Sequence, residues 1–287
     1  MKRIIYTVAA ILLTASGFAQ TDTTKNDQPD TVRVGNFVII KKNKNGSVSD
    51  SSDQHRNVYV DINVFGNNRN KHKSKVSTNW LIFDLGFANV RDKTAYGSAE
   101  ANSYLNAQGG APFAKSDLAL RTSKSSNANI WLFMQKLNVS KHVLNLKYGL
   151  GLEMYNYRYE NNISYTKNPA SIVRDSINFS KNKLYVGYAT VPFMVNINTN
   201  PDKRKSFSIS AGVSAGYKIA SRNKQISGER GKEKTNGDFN LDPWRLAAIA
   251  EVGLGPVRLY GSYSFNTLHQ DGLKQYPYAV GIRFSNW

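Results

Sequence analysis

VLNLKYGLGLEM, residues 143–154, alternates almost without error. Leu144, Leu146, Tyr148, Leu150, Leu152 and Met154 fall on one side of an extended chain, and Asn145, Lys147, Gly149, Gly151 and Glu153 fall on the other. Successive side chains of a strand face opposite ways, so period two identifies a strand. This strand is long, and its polar face is small and charged. That combination suits lipid on one face and a crowded polar lumen on the other, the pattern of a transmembrane β-barrel.

The pattern recurs. From Thr78 onward eight strands are expected: 78–89, 129–139, 142–156, 183–197, 206–220, 244–254, 257–268 and 276–287. In the first, Leu81, Phe83, Leu85 and Phe87 point outward and Asp84 inward. In the fifth, Phe207, Ile209, Ala211, Val213, Ala215, Tyr217 and Ile219 point out, while Ser208, Ser210, Gly212, Ser214, Gly216 and Lys218 point in. The facing of the second is left open. Connections alternate in length: short around Ser140, through TNPDKRK and through Gly255-Pro256, long over 90–128, 157–182, 221–243 and 269–275. Short turns at one end and long loops at the other belong to outer-membrane barrels, with the turns in the periplasm. Pro192 donates no ladder hydrogen bond, so a bulge is expected there.

Upstream, MKRIIYTVAAILLTASGFAQ has a basic start at Lys2 and Arg3, a short apolar run and small residues Gly17 and Ala19. It reads as a secretory signal peptide over 1–19, too short to span a bilayer. Residues 20–77 read as a flexible periplasmic extension with one or two short strands, 32–40 and 57–65, and 78–287 as the barrel. A ten-stranded wall remains open if those two segments enter it. No cysteine occurs, so disulfides, cysteine metal sites and a lipidated cysteine are excluded. No apolar run after the signal is long enough for a membrane helix. The net charge of +18 would suit nucleic acid, but the excess is spread over linker and loops, with eight Lys/Arg against three Asp/Glu in 41–76. An exported chain meets outer-membrane lipid and lipopolysaccharide instead, so those are the expected counter-charges and nucleic acid is not an expected partner.

The expected interface aromatics are Trp80, Trp131, Trp244 and Trp287, with Tyr155, Tyr157, Tyr159, Tyr185, Tyr276 and Tyr278 near the outer strand ends. A soluble β-sandwich with core aromatics is the competing reading. Eight strands leave an interior that side chains just fill. The inward charges are Asp84, Glu153 and Glu251 against Lys147, Lys218, Arg258 and Arg283. Unpaired charge there is costly, so one structural ion-pair network is expected, plugging the lumen. For catalysis the candidate is His269 with Asp271 near Ser264, but no serine stands in a triad context, so no catalytic residue is assigned. His55, His72 and His142 have no partner cluster, and Asp238 and Asp242 lack calcium-loop spacing, so no metal site and no cofactor are expected.

TNWLIFDLGFANV (78–90), YATVPFMVN (188–196) and VGIRFSNW (280–287) resemble outer-membrane β-barrel proteins of the PorT-like kind, related in architecture to small OmpA-like barrels. The resemblance covers about 78–287. It implies a closed antiparallel eight-stranded transmembrane β-barrel in a Gram-negative outer membrane. It also implies handling by the barrel-assembly machinery, although Asn286 stands where that signal expects an aromatic and Trp287 follows it. A link to secretion, through other envelope or secretion proteins, is a further implication. The expected role is non-enzymatic: structural, adhesive or accessory to secretion. The alternatives are a lipid- or peptide-acting hydrolase or acyltransferase at the outer rim, and a narrow channel.

Overall fold

The structure is a computed structural model that describes residues 31–34, 37–40, 74–199, 207–254 and 257–285. The chain divides into two compact units, Met1–His72 and Lys73–Trp287. In the first, β1 (Thr31–Val34) and β2 (Phe37–Ile40) pair antiparallel, Thr31 opposite Ile40. The single strand expected over 32–40 is therefore a hairpin. The signal segment, the strand at 57–65, the Gly255-Pro256 turn and Trp287 lie outside the described residues.

The second unit starts with β3 (Val76–Asp92), then helix α1 (Ala99–Tyr104) and β4 (Leu105–Asn106). Next come β5 (Ser126–Ser140), β6 (Leu144–Arg158), β7 (Ile163–Lys167), β8 (Ala170–Arg174) and β9 (Phe179–Asn198). β10 (Phe207–Ser227), β11 (Gly231–Asn236), β12 (Trp244–Leu254), β13 (Val257–Ser264) and β14 (Gln275–Phe284) complete it. Eight of these pair antiparallel in a ring: β3, β5, β6, β9, β10, β12, β13, β14 and back to β3. Asp84 stands opposite Arg283 where β14 meets β3. That direct pairing leaves no gap for further strands, so the ten-stranded alternative falls.

Alternation sorts the side chains. On β3, Phe83, Leu85 and Phe87 are exposed while Ile82 and Asp84 are buried. β9 exposes Val191, Phe193, Val195 and Ile197, β10 exposes Ile209, Val213 and Ile219, and β14 exposes Val280 and Ile282. Apolar rows on so many neighbouring strands form a belt far beyond the isolated apolar patches of a water-soluble surface. No helix among the described residues is long and apolar enough to cross a membrane; the belt is made by strands.

One local expectation is corrected. Pro192 holds its register: it pairs with Ser214 of β10, and the ladder toward β6 lapses between Tyr148–Phe193 and Gly151–Thr190 with no slip. The missing N–H is thus absorbed by a gap. The bulges lie elsewhere, between Trp131 and Phe133 of β5 and between Lys218 and Ala220 of β10. The long connections are largely structured. β9 and β10 reach 20 and 21 residues. β10 pairs with β11, and β4, β8 and β7 make a small separate sheet.

Candidate functional site

The ring interior is divided by chemistry. The part toward the short turns is polar and charged; the part toward the long connections is aromatic.

In the polar part, Arg283 clamps Asp84 with Nε and Nη2, each 2.8 Å from a carboxylate oxygen. Its Nη1 donates to Glu251 Oε2 at 2.8 Å. Glu251 also accepts from Lys147, from Ser210 Oγ at 2.8 Å and from Arg258 Nη1 at 3.4 Å. Arg258 donates further to Ser208 Oγ at 2.7 Å and to Ser285 Oγ at 2.8 Å. These five charged side chains are all at most 5% exposed. Two carboxylates face three cations with hydrogen bonds to nearly every head group, the condition under which buried charge is tolerated.

Not every expected member joins this cluster. Glu153 sits higher, paired with Arg245 Nη1 at 3.0 Å and accepting from Thr190 Oγ1 at 3.1 Å. Arg245 was missed, although it shares the odd parity of Glu251 along β12. Lys218 pairs with Asp238 and donates to the Leu241 carbonyl, away from the cluster. Among the aromatics, Trp80 is 68% exposed and Trp244 51% exposed, but Trp131 is buried at 2%. Its Nε1 donates to Asp84 Oδ2 at 2.7 Å, and the Arg283 guanidinium lies 5.1 Å from its ring centre. Trp131 is thus a lumen residue and not an interface one. The pocket left between Trp131, Glu153, Tyr260 and Arg283 measures about 10 Å³, room for one water at most.

The aromatic part corrects the tyrosines likewise. Tyr155, Tyr157 and Tyr159 point inward and are buried. Tyr155 and Tyr157 stack at 5.9 Å, and the Tyr159 and Tyr165 hydroxyls share a 2.6 Å hydrogen bond. α1 brings in Tyr104, whose hydroxyl donates to the Phe239 carbonyl at 2.6 Å. β7 is held under β9 and β10 because its Ile163 carbonyl accepts from Asn182 and Gln225. The long connections therefore fold into a cap over the ring. His269 lies inside it, fully buried, its ring 5.2 Å from Tyr104 and 6.2 Å from Tyr165. Burial holds its pKa down at about 3, with Lys218 adding to the effect. A neutral histidine enclosed by aromatic rings does not present itself to a substrate at the rim, and Ser264 is buried as well. Among the described residues no group of three His, Asp or Glu could hold a metal ion.

The profile of a family described as "Outer membrane protein beta-barrel domain" matches residues 92–270. The chain belongs to this outer-membrane β-barrel family. This outer-membrane barrel accordingly resides in the outer membrane, which its strands cross, and the apolar belt is its lipid-facing surface. No curated protein matches the barrel's sequence. It is similar to two solved structures of Ail, the attachment invasion locus protein of Yersinia pestis, one of them in complex with the heparin analogue sucrose octasulfate. Identities are 11% and 12%, and TM-scores 0.29 and 0.28. Each alignment covers 72% of this barrel's chain and 97% of the other.

Proposed function

We propose that this protein is a non-enzymatic, sealed β-barrel that carries a folded cap on the cell surface. The short-turn end faces the periplasm and the long-connection end faces outward, as in other barrels of this membrane. Residues 1–19 are a cleaved signal and 20–77 a periplasmic extension. The work is done by surfaces at the two ends, in attachment or as a PorT-like accessory to secretion, with lipopolysaccharide and envelope proteins as neighbours and the barrel-assembly machinery as the route of insertion.

The observation that carries this reading is the filled interior. The Asp84–Arg283–Glu251 cluster closes one level, Glu153–Arg245 the next, and the tyrosine cap the third. A channel needs a continuous wet path, and a pocket of about 10 Å³ does not provide one. The test is planar-bilayer recording of the full chain, with Glu251→Ala as the comparison. No conductance steps are expected from the native barrel. Reproducible steps that vanish when Glu251 is replaced would establish the narrow channel instead.

A further inference from the structure

The long-connection end carries a surface that the lumen does not explain. β9 and β10 run past the apolar belt, and β11 adds to β10 there. On the outward face of this sheet the register places cations side by side. Arg158 of β6 stands opposite Lys183 of β9, Lys183 opposite Lys224 of β10, and Lys224 opposite Lys234 of β11. At about 4.8 Å between strands the row is ~14 Å wide. Arg222 flanks it on one side; Lys181 and Lys232, both in register with Ile226, flank it on the other. The opposite face of the same strands buries Leu184, Val186, Asn223 and Gln225.

No carboxylate neutralises this face among the described residues. Asp175 is paired with Arg230 and Asp238 with Lys218, and Glu233 lies on the other face of β11, opposite Gln225. The polar contacts on the patch go to neutral groups: Lys183 Nζ to Asn156 Oδ1 at 2.6 Å, and Arg158 Nη2 to the Ser180 carbonyl at 2.6 Å. Like charges directly opposite on neighbouring strands destabilise a sheet. Loss of water and then the neighbours Lys181, Lys224, Arg222 and Arg158 push the Lys183 amine down to about 8. The arrangement costs the fold stability, and a ligand with several anionic groups offsets that cost.

Position selects the ligand. Tyr217 and Trp244 pack edge to face at 5.1 Å, both exposed, and with Ile219 they end the apolar belt on this side. Arg222 follows Ile219 by three residues and Lys224 by five. At ~3.3 Å per residue and a tilt of ~40°, they stand ~8 and ~13 Å above the belt. The polar layer of a bilayer is ~5–7 Å deep on each side. The first cation therefore stands at the outer edge of that layer and the others lie beyond it, where the phosphorylated sugars of a large headgroup sit.

We propose that Arg158, Lys183, Arg222, Lys224 and Lys234 form a docking site for the phosphate groups of lipopolysaccharide in the outer leaflet beside the barrel. This rests on the outward placement of the capped end given above. The test uses the full chain in detergent, with lipopolysaccharide and its dephosphorylated form as probes. The variant is Lys183→Gln/Lys224→Gln/Lys234→Gln, and a gel-mobility shift on boiling reports that the barrel is folded. The native protein binds lipopolysaccharide. Removing the phosphates, or the three lysines, weakens binding by roughly a hundredfold, and the variant withstands more heat than the native protein. Equal binding by the variant, equal binding of the dephosphorylated form, or equally tight binding of a soluble sulfated polysaccharide overturns the site. Should the variant not fold, a salt titration of the native protein decides: binding that falls steeply with salt supports the site, and a flat response overturns it. A native protein with no mobility shift on boiling would instead remove the barrel reading itself.

Discussion

Glu251 lies between Lys147, Arg258 and Arg283, and removing its charge leaves three cations facing one another where water does not enter. Glu251→Gln keeps the shape and is expected to cost about 3–5 kcal/mol, the usual result of breaking a buried pair from one side. Lys147→Met leaves Glu251 with both arginines and costs less. Urea midpoints of the boiling-sensitive gel band measure the two; equal midpoints would show that the cluster does not act as described. His269 gives the pH dependence. Its unfolded pKa is near 6.5 and its buried one about 3. Between those values the unfolded chain binds a proton that the folded chain refuses, so stability falls as pH is lowered through that window. His269→Phe should flatten the acid side of the stability profile, and superimposable profiles between pH 7 and 4 would refute the assignment.

At the scale of elements, the seam between β14 and β3 shows how strands approach. Gly86 and Gly281 stand opposite each other. A Cβ on Gly281 would lie 2.3 Å from the Leu85 carbonyl oxygen and 2.4 Å from the Gly86 Cα, both backbone atoms that cannot step aside. Gly281→Ala is expected to destabilise by about 1–3 kcal/mol, read from the same urea midpoints, whereas Gly228→Ala meets nothing within 4 Å and leaves them in place. The strands themselves were legible because alternation is a direct image of facing: residues 144–154 of β6 and 207–219 of β10 read correctly residue by residue. Trp131 was not legible. The bulge after it switches buried positions from Asn127, Asn129 and Trp131 to Met134, so no single parity describes β5. Tyr155, Tyr157 and Tyr159 share the odd parity of Lys147 and Glu153, so their inward facing could have been read from it. Nearness to a strand end suits an interface ring and a cap ring alike. The cap's own elements, β7 and β8, are five residues each and carry no lasting period.

For the whole molecule, the seal has levels in series. Deleting 163–174 would remove β7 and β8 from the cap but leave the Asp84–Arg283–Glu251 level closed, so that variant is expected to conduct no more than the native barrel in bilayer recordings. Charge is distributed by the same logic. Inside, the buried carboxylates Asp84, Glu153 and Glu251 are each matched to a cation; on the outer sheet the cations are left to a neighbour.

The salt bridge between Asp84 and Arg283 joins residues 199 positions apart, on the first and last strands of the ring. Neither edge is satisfied until β14 meets β3, so a partly folded wall presents two bare strand edges and a carboxylate without its cation. Closure is then a late step of folding, and a slow one, because a contact between such distant residues must overcome the entropy of the whole intervening loop. The latch thus works as a completeness check: a chain truncated before β14 has every other strand it needs and still cannot shut.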